Sequence, residues 1–195
     1  METLAQKIAT HAASLPEGAP VTAKGLLHLG ARAAVDQALS RLARKGALLR
    51  IARGVYVRPV RSRYGAHSPS TPKVIKGLSM HTALPISMSG AAAANALRLT
   101  TQVPVREVYL TAGRSRRLRM GAQYVEIRHA PAWQLMLPGR IAGNVVRALA
   151  WLGPEAAQAA VRQLHNRLSP SERKEVLAVR PQIPTWMAQQ LSALA

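Results

Sequence analysis

The sequence predicts an α+β fold, and three observations carry that expectation. An amphipathic stripe ends at a glycine, a basic alternating hairpin follows it at once, and later β-rich segments give way to proline-punctuated helices. From Thr22 to Pro59 the chain reads TAKGLLHLGARAAVDQALSRLARKGALLRIARGVYVRP. Val35, Ala38, Leu39 and Leu42 recur at i, i+3, i+4 and i+7, which makes one apolar stripe of a helix over 31–45. Arg44 and Lys45 in its last turn complement the helix dipole, and Gly46 supplies the left-handed residue that stops it. Upstream, Thr22 is placed to N-cap a short helix ending near Leu29-Gly30, so a tight turn at Gly30 separates two helices. Downstream, Leu49 and Ile51 alternate with Leu48 and Arg50, and Val55 and Val57 with Tyr56 and Arg58, around a turn at Ala52-Arg53-Gly54. Pro59 closes the second strand. Helix, turn, helix and basic hairpin in this order make a winged helix-turn-helix, predicted for residues 1–65.

The face of the 31–45 helix opposite the apolar stripe carries Ala33, Gln37, Ser40 and Arg44, with Arg32, Asp36 and Arg41 beside it, when each residue advances about 100° around the axis. These side chains suit base edges. Glutamine pairs bidentately with adenine, arginine with guanine, alanine meets a thymine methyl, and Asp36 either accepts from a cytosine amino group or orients an arginine. Taken one at a time, Gln37, Arg41 and Arg44 are ordinary residues of a solvated helix face. Taken with Arg50, Arg53 and Arg58 on the hairpin, they predict a recognition helix in the major groove and a wing on backbone or minor groove.

Elsewhere, Leu4, Ile8, Ala12 and Leu15 place a first helix over 3–15 that braces this module. The stretch 61–77 clusters Ser-Pro, Thr-Pro and glycine without apolar periodicity, so a linker is expected over 66–78 with the boundary near Ser68. Residues 79–195 are expected to form an α+β domain with a helical tail. Ser87 or Ser89 caps a helix through Leu97, and Val105–Thr111 and Tyr124–Arg128 read as strands. From Ile141 onward, helices are predicted near 141–152, 154–168, 170–179 and 184–194, set apart by Gly153-Pro154, Ser169-Pro170 and Pro181 to Pro184. The small residues Ser89-Gly90-Ala91-Ala92 predict close helix packing, because no Gly-Lys-Ser/Thr follows to make a phosphate loop. Trp133, Trp151 and Trp186, with Tyr109 and Tyr124, are expected in the core of a chain that has no phenylalanine. Between the two predicted strands, Arg114, Arg116, Arg117 and Arg119 form a basic loop. It is a candidate second contact for phosphate or an acidic protein, or else a solvated hairpin tip.

At this point a resemblance becomes visible. LGARAAVDQALSRLARKGALLRIARGVYVRP, followed by SGAAAANALRLTTQVPVREVYLTAGRSRRLRMGAQYVEIRHAP, resembles the AbiEi family of antitoxins from type IV toxin–antitoxin systems. The first segment is similar to that family's N-terminal winged helix, the second to the C-terminal domain of its shorter members. The resemblance implies a transcriptional repressor that binds repeats in its own promoter and opposes a co-encoded nucleotidyltransferase-type toxin. The chain is expected to be monomeric in solution or to self-associate on DNA.

Composition points to a polyanion independently. Lysine and arginine number 27 against 8 aspartates and glutamates, for a net charge of +19, and the excess is shared by both parts of the chain. A basic RNA- or nucleoprotein-binding accessory module, using the same winged helix without operator recognition, is the alternative. With no cysteine, disulfides, thiolate metal sites and cysteine nucleophiles are excluded. The six histidines never fall in H-x-x-x-H or H-E-x-x-H spacing, Asp36 is the lone aspartate, and there is no G-x-S-x-G elbow, so neither a metal, a cofactor nor a catalytic residue is predicted. No apolar run approaches the ~18 residues of a membrane span. The start METLAQKIATHAASL reads as an amphipathic helix instead of a signal, so a cytoplasmic, non-enzymatic protein is expected.

Overall fold

The computed structural model describes residues 2–63 and 65–195 and shows a mixed α+β chain that divides into two compact units. The first contains residues 1–84 and 117–125, the second 85–116 and 126–195.

In the first unit, helix α1 (Leu4–Ser14) opens with a capping box in which Thr3 accepts from Gln6 N–H and the Gln6 side chain accepts from Thr3 N–H. Strand β1 (Val21–Thr22) leads into a single 3₁₀ turn at Lys24–Leu26, and then helix α2 (Arg32–Arg44) begins. The short helix expected before Gly30 is therefore only this 3₁₀ turn. Its N-cap is Ala23 and not Thr22, and no side chain caps it; Thr22 Oγ1, one residue earlier, accepts from Gly25 N–H at 3.3 Å. At the end of α2, Gly46 adopts φ +70°, its N–H bonds to Ala43 O, and Ala47 N–H reaches Leu42 O at 2.9 Å. This pair of bonds is a complete Schellman stop, as the glycine predicted.

Strands β2 (Leu49–Ala52) and β3 (Val55–Val57) form the hairpin, with Leu49 opposite Val57 and Arg50 opposite Tyr56. β1 adds antiparallel to β3, giving a three-stranded sheet in the order β1-β3-β2. Ile8 and Ala12 of α1, Val35, Ala38, Leu39 and Leu42 of α2, and Leu26, Leu48 and Tyr56 share one core. Leu39 is fully buried in it, so truncation to alanine there costs about 2–5 kcal/mol.

The predicted linker is structured. Strands β4 (Val60–Ser62) and β5 (Gly65–His67) pair antiparallel, and helix α3 (Thr71–Thr82) follows, burying Val74, Ile75 and Leu78. Pro72 sits in its first turn, where a missing N–H costs nothing, so the Ser-Pro and Thr-Pro pairs start a helix here and do not break one.

The second unit begins with strand β6 (Ile86–Met88) and helix α4 (Gly90–Ala96), capped by Ser89 at 3.3 Å from Ala92 N–H. Ser87, the other candidate cap, lies buried in β6. Strand β7 (Val108–Thr111) is followed by β8 (Arg116–Met120) and β9 (Gln123–His129), of which residues 117–125 are counted with the first unit, and the sheet order is β6-β7-β9-β8. β6 runs antiparallel to β7 and β7 parallel to β9. Helices α5 (Ala132–Leu135), α6 (Ile141–His165), α7 (Pro170–Ala178) and α8 (Thr185–Leu191) complete the chain. Within α6, Gly153 at φ +79° breaks the helical geometry just before Pro154, so the punctuation read from sequence becomes a kink. Ser169 and Glu172 form the capping box of α7.

α4 packs on α6 through Ala93, Ala94 and Ala148, all fully buried, which is the close approach the small residues predicted. The α6–α8 core gathers Val145, Val146, Leu149, Val161, Leu164, Val176, Met187 and Leu191, with Trp133 and Trp186 packed against it. Two aromatic assignments fail: Trp151 is 44% and Tyr124 59% exposed. Among the described residues no helix is long and apolar enough to cross a membrane.

Candidate nucleic-acid interface

Helix α2 presents Ala33, Gln37, Ser40 and Arg44 as one exposed line, because Val35, Ala38, Leu39 and Leu42 take the opposite face into the core. Arg41 is exposed beside that line. Asp36 is exposed but not unpaired. Arg32 Nε donates to its Oδ2 at 2.8 Å, an i,i+4 pair on the first turn, so of the two roles open to Asp36 the structure shows it orienting an arginine.

The hairpin meets the C-terminal half of this line. Ser40, Ala43 and Arg44 of α2 and the cross-strand pair Arg50–Tyr56 enclose an open groove of about 500 Å³. The groove exists because spacing i, i+3, i+4 keeps Ser40, Ala43 and Arg44 on one side of the helix. On the sheet side, the pairing of β2 with β3 sets Arg50 directly across from the buried Tyr56. Arg53 is exposed in the two-residue turn at the hairpin tip, where Gly54 takes φ +70°, and Arg58 is exposed just past β3. Among the described residues, the guanidinium groups of Arg41, Arg44, Arg50, Arg53 and Arg58 have no hydrogen bond or ion pair. Five exposed cations free of internal partners leave all their donors for an outside acceptor.

The structure thus brings Ser40, Arg44 and Arg50 together, continues the line with Ala33 and Gln37, and holds Arg53 at a tip. It does not bring together the second basic segment. Residues 116–120 are strand β8, not a loop, and alternation divides the arginines: Arg117 and Arg119 are exposed, while Arg116 is half-buried on the side of Leu118 and Met120. Arg119 Nε donates to Gly121 O at 3.4 Å, and the Arg116 Nε is buried without a partner. Arg114 stays exposed in the segment between β7 and β8. Arg116, Arg117 and Arg119, divided between the two faces of a strand, are not one patch.

No curated protein matches the sequence. Among solved structures, the chain is similar to one described as the crystal structure of the RV2827C protein from Mycobacterium tuberculosis. The identity is 19%, the TM-score is 0.49, and the match covers 98% of this chain and 75% of that one. A family model matches residues 7–176, and the chain belongs to that family, described as a family of unknown function (DUF6088).

Proposed function

We propose that the chain is a sequence-specific DNA-binding transcriptional repressor whose first unit is a winged helix-turn-helix, and that it acts by binding and not by catalysis. The groove between α2 and the hairpin carries this reading: Ser40, Arg44 and Arg50 converge there without internal partners. The order α1, β1, 3₁₀ turn, α2, β2, β3 with sheet order β1-β3-β2 supports it, since a winged helix has that strand arrangement and chain order, with a 3₁₀ turn here where its second helix would be. In this reading α2 enters the major groove with Gln37 toward base edges, and Arg53 and Arg58 hold the wing on backbone or minor groove. The net charge of +19 adds sequence-independent attraction.

The resemblance of the two long motifs to AbiEi antitoxins extends the proposal. The chain would repress its own operon through repeated sites and oppose a co-encoded nucleotidyltransferase-type toxin, in the cytoplasm.

Selection of bound duplexes from a random pool, followed by competition against structured RNA at fixed salt, tests the binding claim. One enriched motif, competed far better by duplex than by RNA, is the expected outcome. Enrichment of no motif, or equal competition by RNA, would replace it with an accessory module that binds nucleic acid generally. Co-expression with the product of an adjacent toxin-like gene tests the second claim, which fails if growth is not rescued.

A further inference from the structure

Arg147 lies in the middle of α6 and is 1% exposed. Its Nη1 donates to Gln134 O and Met136 O, each at 3.1 Å, and its Nη2 donates to Asn144 Oδ1 at 2.9 Å. Every one of these acceptors is neutral. The Nε is buried without a partner, and among the described residues no carboxylate pairs with this guanidinium. Burying a cation against neutral acceptors alone leaves much of its desolvation penalty uncompensated. Burial lowers its pKa to about 10, so it still carries its proton at neutral pH.

Arg147 also forms part of the wall of a pocket of about 250 Å³ within the second unit. Two further guanidinium groups, those of Arg106 and Arg128, belong to the same wall. Both turn to Glu126: Arg128 Nη2 stands 2.6 Å from its Oε2, and Arg106 Nη1 3.9 Å from its Oε1. Two of the three arginines lining the pocket therefore share one carboxylate, and among the described residues Arg147 pairs with none. The rest of the wall is mostly apolar, including the half-exposed indole of Trp151, with the Ser89 side chain as a neutral polar group.

We propose that this pocket binds a small organic oxyanion, a carboxylate or phosphoryl group carrying a compact apolar body. Arg106 and Arg128 are the reachable donors at the wall, and Arg147 is the charge behind it. An anion in the pocket compensates that buried charge through a low-dielectric wall, where attraction is much stronger than in water. The apolar body lies against Trp151, which explains why a tryptophan expected in the core is left half-exposed beside arginines. A volume just below the usual range for ligand pockets limits the ligand to roughly ten heavy atoms.

Isothermal titration of the full chain with benzoate, phenyl phosphate and inorganic phosphate tests the site. One equivalent of benzoate or of phenyl phosphate should bind saturably and at least about tenfold more tightly than inorganic phosphate. The tighter of the two assigns the head group as carboxylate or phosphoryl. Ala91→Leu fills the pocket and keeps all three arginines, and it should abolish that binding. Arg106→Gln and Arg128→Gln change exposed side chains, so the fold is retained, and each should weaken binding by about tenfold. Absence of saturable heat from all three probes at about 10 mM overturns the proposal. So does binding that inorganic phosphate matches and that neither Ala91→Leu nor the two glutamine variants change, because that is attraction to surface charge.

Discussion

Gly18 and Gly77 meet backbone to backbone: a Cβ on Gly77 would stand 2.6 Å from Gly18 O, and one on Gly18 2.6 Å from the carbonyl carbon of Lys73. Helix α3 is thus seated directly on the loop that follows α1, in the segment whose prolines and serines suggested a linker. Gly77→Ala should destabilise the protein by about 1–3 kcal/mol, because the facing atoms are backbone and cannot swing aside. In an unpacked helix the same change would stabilise by up to ~1 kcal/mol through helix propensity. The sign of the change in a urea titration therefore tells whether α3 is docked in solution.

The Glu17–Lys73 ion pair joins the same two segments. Hydrogen bonding from the Lys73 ammonium, and then its charge, holds the Glu17 carboxyl below the ordinary glutamate value, with help from Ser70 N–H. A carboxyl whose folded pKa is depressed contributes stability above its unfolded pKa and loses it as pH falls through the folded value. Glu17→Gln should accordingly lower the thermal midpoint at pH 7, and the difference should shrink as pH falls below the unfolded glutamate value of about 4.3 and vanish only once pH passes below the depressed folded value. A difference that persists unchanged in acid would assign the effect to packing and not to the ion pair.

What could be read from the sequence was what is local. The stripe Val35, Ala38, Leu39, Leu42 and its stop at Gly46 are complete within fifteen or so residues, and both capping boxes follow from side chains three positions apart. Helix α3 was hidden because Pro72 reads as a breaker unless its place in the first turn is known, although Val74, Ile75 and Leu78 carry a short apolar face. β8 was hidden because only Leu118 and Met120 are apolar, so Arg116, Arg117 and Arg119 mask the alternation. Of the candidate site, the exposed line on α2 was predicted residue by residue. The groove was not, since it depends on Arg50 pairing with Tyr56 across a hairpin and facing Ser40 and Arg44. The Arg147 pocket draws on segments more than fifty residues apart, and no spacing rule could have assembled it.

Gln37 and Arg44 lie on the same line of α2, yet only Arg44 borders the groove shared with the hairpin. On DNA, Gln37→Ala should cost roughly 1–3 kcal/mol on the selected site and relax preference at one base pair, with little effect on random duplex. Arg44→Ala should weaken selected and random duplexes more evenly, since in the proposed reading Arg44 and Arg50, which line one groove, contact backbone phosphate and not a base. Fluorescence anisotropy on both duplexes separates the two patterns. Equal losses for Gln37→Ala on both would remove it from base reading.

Arg53 is exposed at the hairpin tip, next to Gly54 at φ +70°, and its guanidinium has no internal partner. A tight turn with a glycine lets the tip come close to a phosphate or into a narrow groove without a side chain intervening. Each phosphate contact releases roughly one counterion, so losing the contact reduces the slope of log affinity against log salt by about 0.9. Arg53→Glu should weaken binding to every duplex and flatten the slope by that amount or slightly more, since the new carboxylate also repels its surroundings. Arg53→Gln separates the two effects: it removes the contact without adding repulsion and should give the single-contact change. A slope unchanged in both variants would take the hairpin tip out of the interface.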